Sequence, residues 1–188
     1  MIDQILAWDY ELFLFLNGLG TSSWDGFWMV VTDRFTFIPL YIFLLYLIYR
    51  EMGWRMLLNV AIVAALMILF TDQVTNLFKY GYERLRPCRD PNLVDKMRLV
   101  TDGCGMYGFF SGHAANSMAT AIFIGLLLRP FYKLVTFLLV IWSIIVAYSR
   151  IYVGVHFPLD IICGLLFGTA SGYIFYQLTT FFKNRFEL

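Results

Sequence analysis

Charge is what this 188-residue chain has least of: Lys, Arg, Asp and Glu make up 14% of it, against 60% hydrophobic residues and a mean hydropathy of +0.70. Soluble chains usually carry about a quarter charged residues, so an ordinary soluble domain is excluded. The net charge of +1 offers no surplus with which to recruit nucleic acid. A basic n-region is also missing. Met1 to Gly20 carries Asp3, Asp9 and Glu11 instead, which does not read as a cleaved signal, so the start is expected to be retained. The chain has only two histidines and three cysteines, and its length suits one compact bundle, residues 1–188 forming a single integral-membrane domain.

What is abundant is apolar sequence in long runs, as bilayer helices require because lipid offers their backbone no hydrogen-bond partner. Four spans are clear: Met56 to Phe78, Gly112 to Leu128, Leu134 to Tyr148 and Leu159 to Phe182. A fifth is read over Phe35 to Tyr49, continued by a helix over Trp24 to Val31, with Asp33, Arg34 and Pro39 interrupting it. In the first segment Ile5, Leu6, Leu12, Phe13 and Leu16 share one helical face, and Asp3, Asp9 and Glu11 fall largely elsewhere. That pattern predicts a helix lying at the interface; one that merely packs on the bundle, or crosses it, fits the residues too. The expected fold is therefore an all-α polytopic transmembrane bundle of five to six spans.

Two spans joined by the Arg129-to-Lys133 turn separate the segment Lys79–Ser111 from the segment Ser149–Phe157. Two crossings return a chain to the side it left, so these polar segments are expected at one membrane face. The other face collects Arg50, Arg55, Arg129, Lys133, Lys183 and Arg185, as a cytoplasmic side does, which turns the motif face outward. Trp24, Trp28, Trp54, Tyr80 and Tyr82 lie near span ends, where interfacial aromatics gather. Cys88 and Cys104 share the motif-side loop, while Cys163 sits inside the last span. A Cys88–Cys104 disulfide would pin a loop exposed to an oxidising compartment, and two unpaired thiols satisfy the spacing as well.

Three polar clusters punctuate the apolar runs. Lys79 and Arg86 stand seven residues apart, nearly two helical turns, and suit one anion through a point charge and a planar fork. With Arg84 and Arg89 they also make a basic patch of the kind that touches lipid headgroups. Ser111-Gly112-His113 opens an apolar run. There Ser suits an N-cap, Gly lets a ligand approach the backbone, and the helix start favours an anion, although capping alone accounts for Ser111. In Ser149-Arg150-Ile151-Tyr152-Val153-Gly154-Val155-His156-Phe157-Pro158-Leu159-Asp160, Pro158 favours a helix start. The four-residue offset lets the Asp160 carboxylate fix the His156 tautomer and leave the other nitrogen free to attack. A cap with an interfacial ion pair is the plainer reading. Arg150 stands just past the preceding apolar run as a further cation. Asp72, Gln73 and Asn76 make a polar patch within a span, where they either support Lys79 or glue helices together.

In these residues the chain resembles the type 2 phosphatidic acid phosphatase (PAP2) superfamily, with its membrane lipid phosphatases and soluble acid phosphatases and vanadium haloperoxidases. The family signature Lys-x6-Arg-Pro, Pro-Ser-Gly-His and Ser-Arg-x5-His-x3-Asp reads here as Lys79 to Arg86-Pro87, Phe110-Ser111-Gly112-His113, and Ser149-Arg150 to His156 to Asp160. Phe110 replaces the family's proline. The resemblance implies that His156 forms a phosphohistidine, Asp160 orients it, and His113 protonates the leaving oxygen and later activates water. Lys79, Arg86, Arg150 and the backbone at Ser111 and Gly112 would hold the phosphoryl oxygens, with no metal or other cofactor. The function expected is removal of a terminal phosphate from a lipid phosphate or diphosphate, such as undecaprenyl diphosphate, phosphatidylglycerol phosphate or a lipid A phosphate. The expected location is a bacterial inner membrane, with membrane lipids around the chain and the site on the periplasmic face. A phosphotransferase using the same site is a close variant. A non-catalytic protein that binds or transports anionic lipids would explain the cations and leave His156 and Asp160 without a task. A vanadate-dependent oxidase sits poorly with the membrane character.

Overall fold

The computed structural model describes residues 2–186. Of the positions weighed above, Met1 and the Arg185 side chain fall outside the described part. Six helices follow one another: α1 (Ile2–Gly18), α2 (Ser22–Thr32), α3 (Ile38–Tyr82), α4 (Gly112–Leu128), α5 (Val135–Tyr152) and α6 (Pro158–Phe186). Among the described residues there is no strand, only an isolated bridge between Leu85 and Tyr107. Three helices are long and apolar enough to cross a membrane, Ile38–Tyr82, Val135–Tyr152 and Pro158–Lys183, and Gly112–Leu128 is a shorter apolar one. The chain is an integral membrane protein.

Helix α3 is broken at Gly53, whose φ of 79° and ψ of 175° lie outside the helical region. Glycine is suited to that turn because it has no Cβ to clash at positive φ. The arms 38–52 and 54–82 fold back on each other: Leu44, Leu47 and Ile48 of the first share a buried cluster with Met56, Val60, Val63 and Met67 of the second. The turn lies at the same end of the bundle as the α4–α5 connection, where Tyr132 donates to Glu51 (2.6 Å) and Arg50 pairs with Glu51 (2.7 Å). Lys79, at the other end of α3, shares a cavity wall with His113, Arg150 and His156. The polar segments thus meet at one end of the bundle, as the two crossings between them require.

Packing of α6 on α4 makes the bundle's tightest seam. A Cβ at Gly164, Gly168 or Gly172 would come within 2.7 Å of the Ser111 carbonyl, 2.4 Å of Ala115 or 2.5 Å of Ala119, respectively. Apolar burial gives helices little reason to associate in lipid, because acyl chains are as apolar as the side chains they meet. Close backbone approach through small residues every fourth position supplies the attraction instead. Large side chains correspondingly face outward: Ile62, Leu66 and Leu69 of α3, Leu138 and Ile145 of α5, and Ile162, Leu166 and Ile174 of α6 are exposed.

Two expectations need correction. The helix over Trp24–Val31 does not continue the Phe35–Tyr49 span. It forms α2, which stays at the site-bearing end, with Trp28 stacked on Tyr152 and set edge-on to Tyr148, because turns at Asp33–Phe37 separate it from α3. Arg150 does not lie past a helix end either. The polar pair Ser149-Arg150 ends the apolar run but not α5, which continues to Tyr152; Ser149 Oγ donates back to the Val146 carbonyl (2.6 Å), and the chain turns at Gly154, φ 86°. Helix α1 is held at the site-bearing end by Asp9 to Arg84 and Leu159 and by Asn17 to Arg98, Ile151 and Tyr152, and its buried Phe13 meets Phe157, so it packs on the bundle there.

The tight seam makes a testable demand. Gly168→Ala drives a methyl group into backbone and is expected to destabilise the fold by about 1–3 kcal/mol, as overpacking does. Gly26→Ala, where nothing lies within 4 Å, should leave stability unchanged or slightly raised. Thermal unfolding midpoints of the two variants in detergent compare them directly.

Candidate active site

The site is assembled from four stretches of chain. Lys79 comes from the last turn of α3, Arg86 from the loop after it, and Arg150 from the last turn of α5. Ser111 caps α4, its Oγ accepting from the Ala114 amide at 3.4 Å, and His113 projects from the first turn. His156 sits in the short connection before α6, buried to 1% exposure, and Asp160 lies in the first turn of that helix. Lys79, Arg86, Gly112, His113, Arg150 and His156 all line one cavity of about 940 Å³. The structure therefore gathers the expected site residues of the three sequence clusters, with Ser111 and Asp160 packed behind the cavity wall, while Arg84 and Arg89 point elsewhere.

His156 Nδ1 lies 3.3 Å from Asp160 Oδ2, which also accepts from the Phe157 amide at 3.1 Å. With Nδ1–H donating to the carboxylate, Nε2 keeps its lone pair. Burial, reinforced by the positive charges of Arg86, Arg150, Lys79 and Arg84, holds His156 well below the usual imidazole range, so the ring is neutral at pH 7. That is the form a nucleophile needs. Gly108 leaves room for the pair: a Cβ there would meet Asp160 Oδ2 at 3.1 Å, Arg86 Cγ at 3.2 Å and His156 Nδ1 at 3.6 Å.

The cations are fixed by neutral groups. Arg86 Nε donates to the Tyr107 carbonyl (2.9 Å), and Arg150 donates to the Thr32 hydroxyl. Arg150 Nε is buried and has no hydrogen-bond partner among the described residues. Lys79 Nζ lies 3.7 Å from where a Gly112 Cβ would stand, so the missing side chain keeps the ammonium beside the start of α4. The Ser111 amide is engaged by the Asp160 carbonyl at 3.0 Å. The amides of Gly112 and His113, in the first turn, have no intrahelical acceptor and are the ones open to an anion. The Cys88–Cys104 disulfide (Cα–Cα 6.6 Å) ties together the two loop segments that carry Arg86 and its acceptor Tyr107.

Below the cations the cavity turns apolar, walled by Tyr41, Leu44, Ala65, Ile68, Ile124 and Trp142. It is a polar end with an apolar shaft, the shape of a phosphorylated lipid. Asp72 accepts from Asn116 at 2.7 Å, joining α3 to α4 on the cavity wall. No group of three or more His, Cys, Asp or Glu that could hold a metal ion occurs among the described residues.

Sequence reasoning missed Arg84, Asp9 and Thr32. Arg84 appeared only as part of a basic surface cluster, yet it bridges Asp160 and Asp9 at 2.7 and 2.5 Å. Asp9 is 6% exposed; four residues after Ile5 and four before Phe13, it stands on the apolar face of α1, and that spacing is the local signal of its burial. Their partners lie 75 and 76 positions away, and no local spacing signals so distant a pairing. The stripe Gly164, Gly168, Gly172 had its signal in plain four-residue spacing.

The neutral state of His156 can be tested. Its ring should titrate below 6.5 in histidine-detected NMR of the detergent-solubilised protein. Arg86→Gln removes one of the cations that depress it, so the inflection should move up toward 6.5; a wild-type inflection at or above that value contradicts the electrostatics described.

The comparisons agree with this geometry. The PAP2 superfamily profile matches residues 54–184. The chain is 34% identical over 179 residues to a lipid A 4'-phosphatase of Bacteroides thetaiotaomicron, covering 94% of this chain and 79% of that one. It is 28% identical over 180 residues to an undecaprenyl-diphosphatase of Sulfolobus acidocaldarius, covering 94% and 81%. Its fold is similar to that of a transmembrane PAP2-type phosphatidylglycerolphosphate phosphatase from Bacillus subtilis, with a TM-score of 0.73 at 18% identity over 97% of this chain and 87% of that one. With its signature residues gathered around a cavity shaped for a phosphorylated lipid, the chain belongs to the PAP2 superfamily and is a membrane lipid phosphatase.

Proposed function

We propose that this enzyme removes a phosphate from a lipid A-type glycolipid at the periplasmic face of a bacterial inner membrane. The observation that carries the reading is the single cavity that joins a cationic end containing His113 and His156 to an apolar shaft between α3, α4 and α5. The relative at 34% identity is a lipid A 4'-phosphatase, which favours a phosphorylated sugar headgroup over the other lipid phosphates. Arg50, Arg55, Arg129 and Lys133 cluster at the end opposite the site, which supports a cytoplasmic location for that end. The disulfide in the site-side loop supports an oxidising compartment for the other.

In the first step His156 Nε2 attacks phosphorus, a P–N bond forms, and the bond from phosphorus to the ester oxygen breaks. His113, protonated once the dianionic phosphate lies beside it, passes its proton to that oxygen, so the lipid leaves as an alcohol. In the second step His113 takes a proton from water as the water oxygen attacks phosphorus. The P–N bond breaks, and inorganic phosphate and neutral His156 are regenerated. Lys79, Arg86, Arg150 and the helix start at Gly112 and His113 stabilise the charge on the non-bridging oxygens throughout. Asp160 holds the His156 tautomer and balances the positive charge that grows on the ring as it is phosphorylated.

Removing the nucleophile tests the reading. His156→Ala should lower phosphate release from lipid A by at least about a thousandfold, by comparison with other covalent catalysts. Wild-type turnover should be unaffected by chelator. In a panel of lipid A, undecaprenyl diphosphate and phosphatidylglycerol phosphate, kcat/KM should be highest for lipid A; a clear preference for either of the others overturns the substrate assignment.

A further inference from the structure

Arg84 is two residues from Arg86 but takes no part in the cavity wall. Its two terminal nitrogens are shared between two carboxylates: Nη1 meets Asp160 Oδ1 at 2.7 Å and Nη2 meets Asp9 Oδ2 at 2.5 Å. Its guanidinium also lies over the Phe157 ring, 4.3 Å from the centroid, immediately after His156 in the chain. Asp9 Oδ1 accepts from the Leu159 amide at 2.8 Å, so α1 itself caps the start of α6. The result is a continuous series, Asp9–Arg84–Asp160–His156, whose carboxylates are 6% and 0% exposed.

The series has a specific electrostatic use. Asp160 must present negative charge to His156 as the phosphohistidine forms, yet a guanidinium bound to Asp160 alone would draw on that charge. A second carboxylate on the same guanidinium restores the balance, leaving two negative groups to one positive. Arg84 holds Oδ1, which leaves Oδ2 for His156 and the Phe157 amide and fixes the carboxylate's rotation.

Resting on the assignment of His156 as nucleophile, we propose that Asp9 and Arg84 are positioning residues that hold Asp160 against it. Helix α1, which carries Asp9, is on this view part of the catalytic apparatus. The test uses the full-length enzyme in detergent with lipid A as substrate. Asp9→Asn should lower kcat roughly ten- to a hundredfold, as loss of groups that orient a ligating residue does. KM should stay within about twofold, and the rate of phosphohistidine formation should fall by the same factor as kcat. Asp9→Glu should recover most of the rate. Arg84→Lys, an independent variant should Asp9→Asn fold poorly, should lose kcat with KM likewise unchanged. Tyr10→Phe removes the neighbouring Tyr10–Asp90 contact of the same helix and should keep kcat within about twofold of wild type.

Wild-type kcat in Asp9→Asn, a loss carried in KM, or an equal loss in Tyr10→Phe overturns the positioning role. If His156→Ala is inactive while Asp9→Asn is fully active, only this inference fails. Should His156→Ala retain turnover, the nucleophile assignment fails whatever Asp9 does.

Discussion

Lys79, Arg86 and Arg150 converge on one end of a cavity inside the membrane protein, and none of the three forms a salt bridge among the described residues. Two like charges 4 Å apart repel by about 4 kcal/mol at the effective dielectric of a protein surface. The Tyr107 carbonyl and the Thr32 hydroxyl soften that repulsion without cancelling it. An anion carrying an apolar tail suits such a cavity, cationic at one end and apolar along the shaft. Asp160 and Asp9 are engaged by Arg84 behind His156, and Asp72, on the cavity wall, is engaged by Asn116. Charge is thus partly segregated: these carboxylates bond elsewhere, and the three cations keep no ion pair among the described residues.

Such segregation needs a rigid frame. The seam of Gly164, Gly168 and Gly172 against Ser111, Ala115 and Ala119 locks α6 to α4. That seam fixes His156 and Asp160, at the start of α6, relative to Ser111, Gly112 and His113, at the start of α4. Two helix starts set side by side bring both histidines and the free amides to one place. The Ser111 amide bound to the Asp160 carbonyl is the point where they are stitched together.

Much of this was legible in the sequence because it is encoded locally. Offsets of four and seven residues put His156 beside Asp160 and Lys79 near Arg86, and counting crossings put the polar segments at one face. The contiguous spans were readable from hydropathy, and Gly53 lies in the break left between Tyr49 and Met56. What stayed hidden is encoded by contacts between distant segments. Asp9 stands on the apolar face of α1, but its partner Arg84 reads locally as a headgroup contact, so the pairing was hidden. Arg150 was placed beyond α5 because hydropathy ends there, although backbone helicity does not. Thr32, its partner, has no motif to mark it.

The break at Gly53 divides the walls of the cavity between two portions of the chain. The family-wide match begins at Trp54, directly after it, and takes in α4, α5, most of α6 and the second arm of α3. The remaining wall of the shaft, from Val31 to Leu45, comes from the unmatched portion. The two histidines and three cations thus lie in the matched portion, and the front of the shaft lies ahead of it. Thr32, which holds Arg150, and Asp9, which holds Arg84, also precede the break, so a change ahead of Gly53 touches the cationic end as well as the shaft.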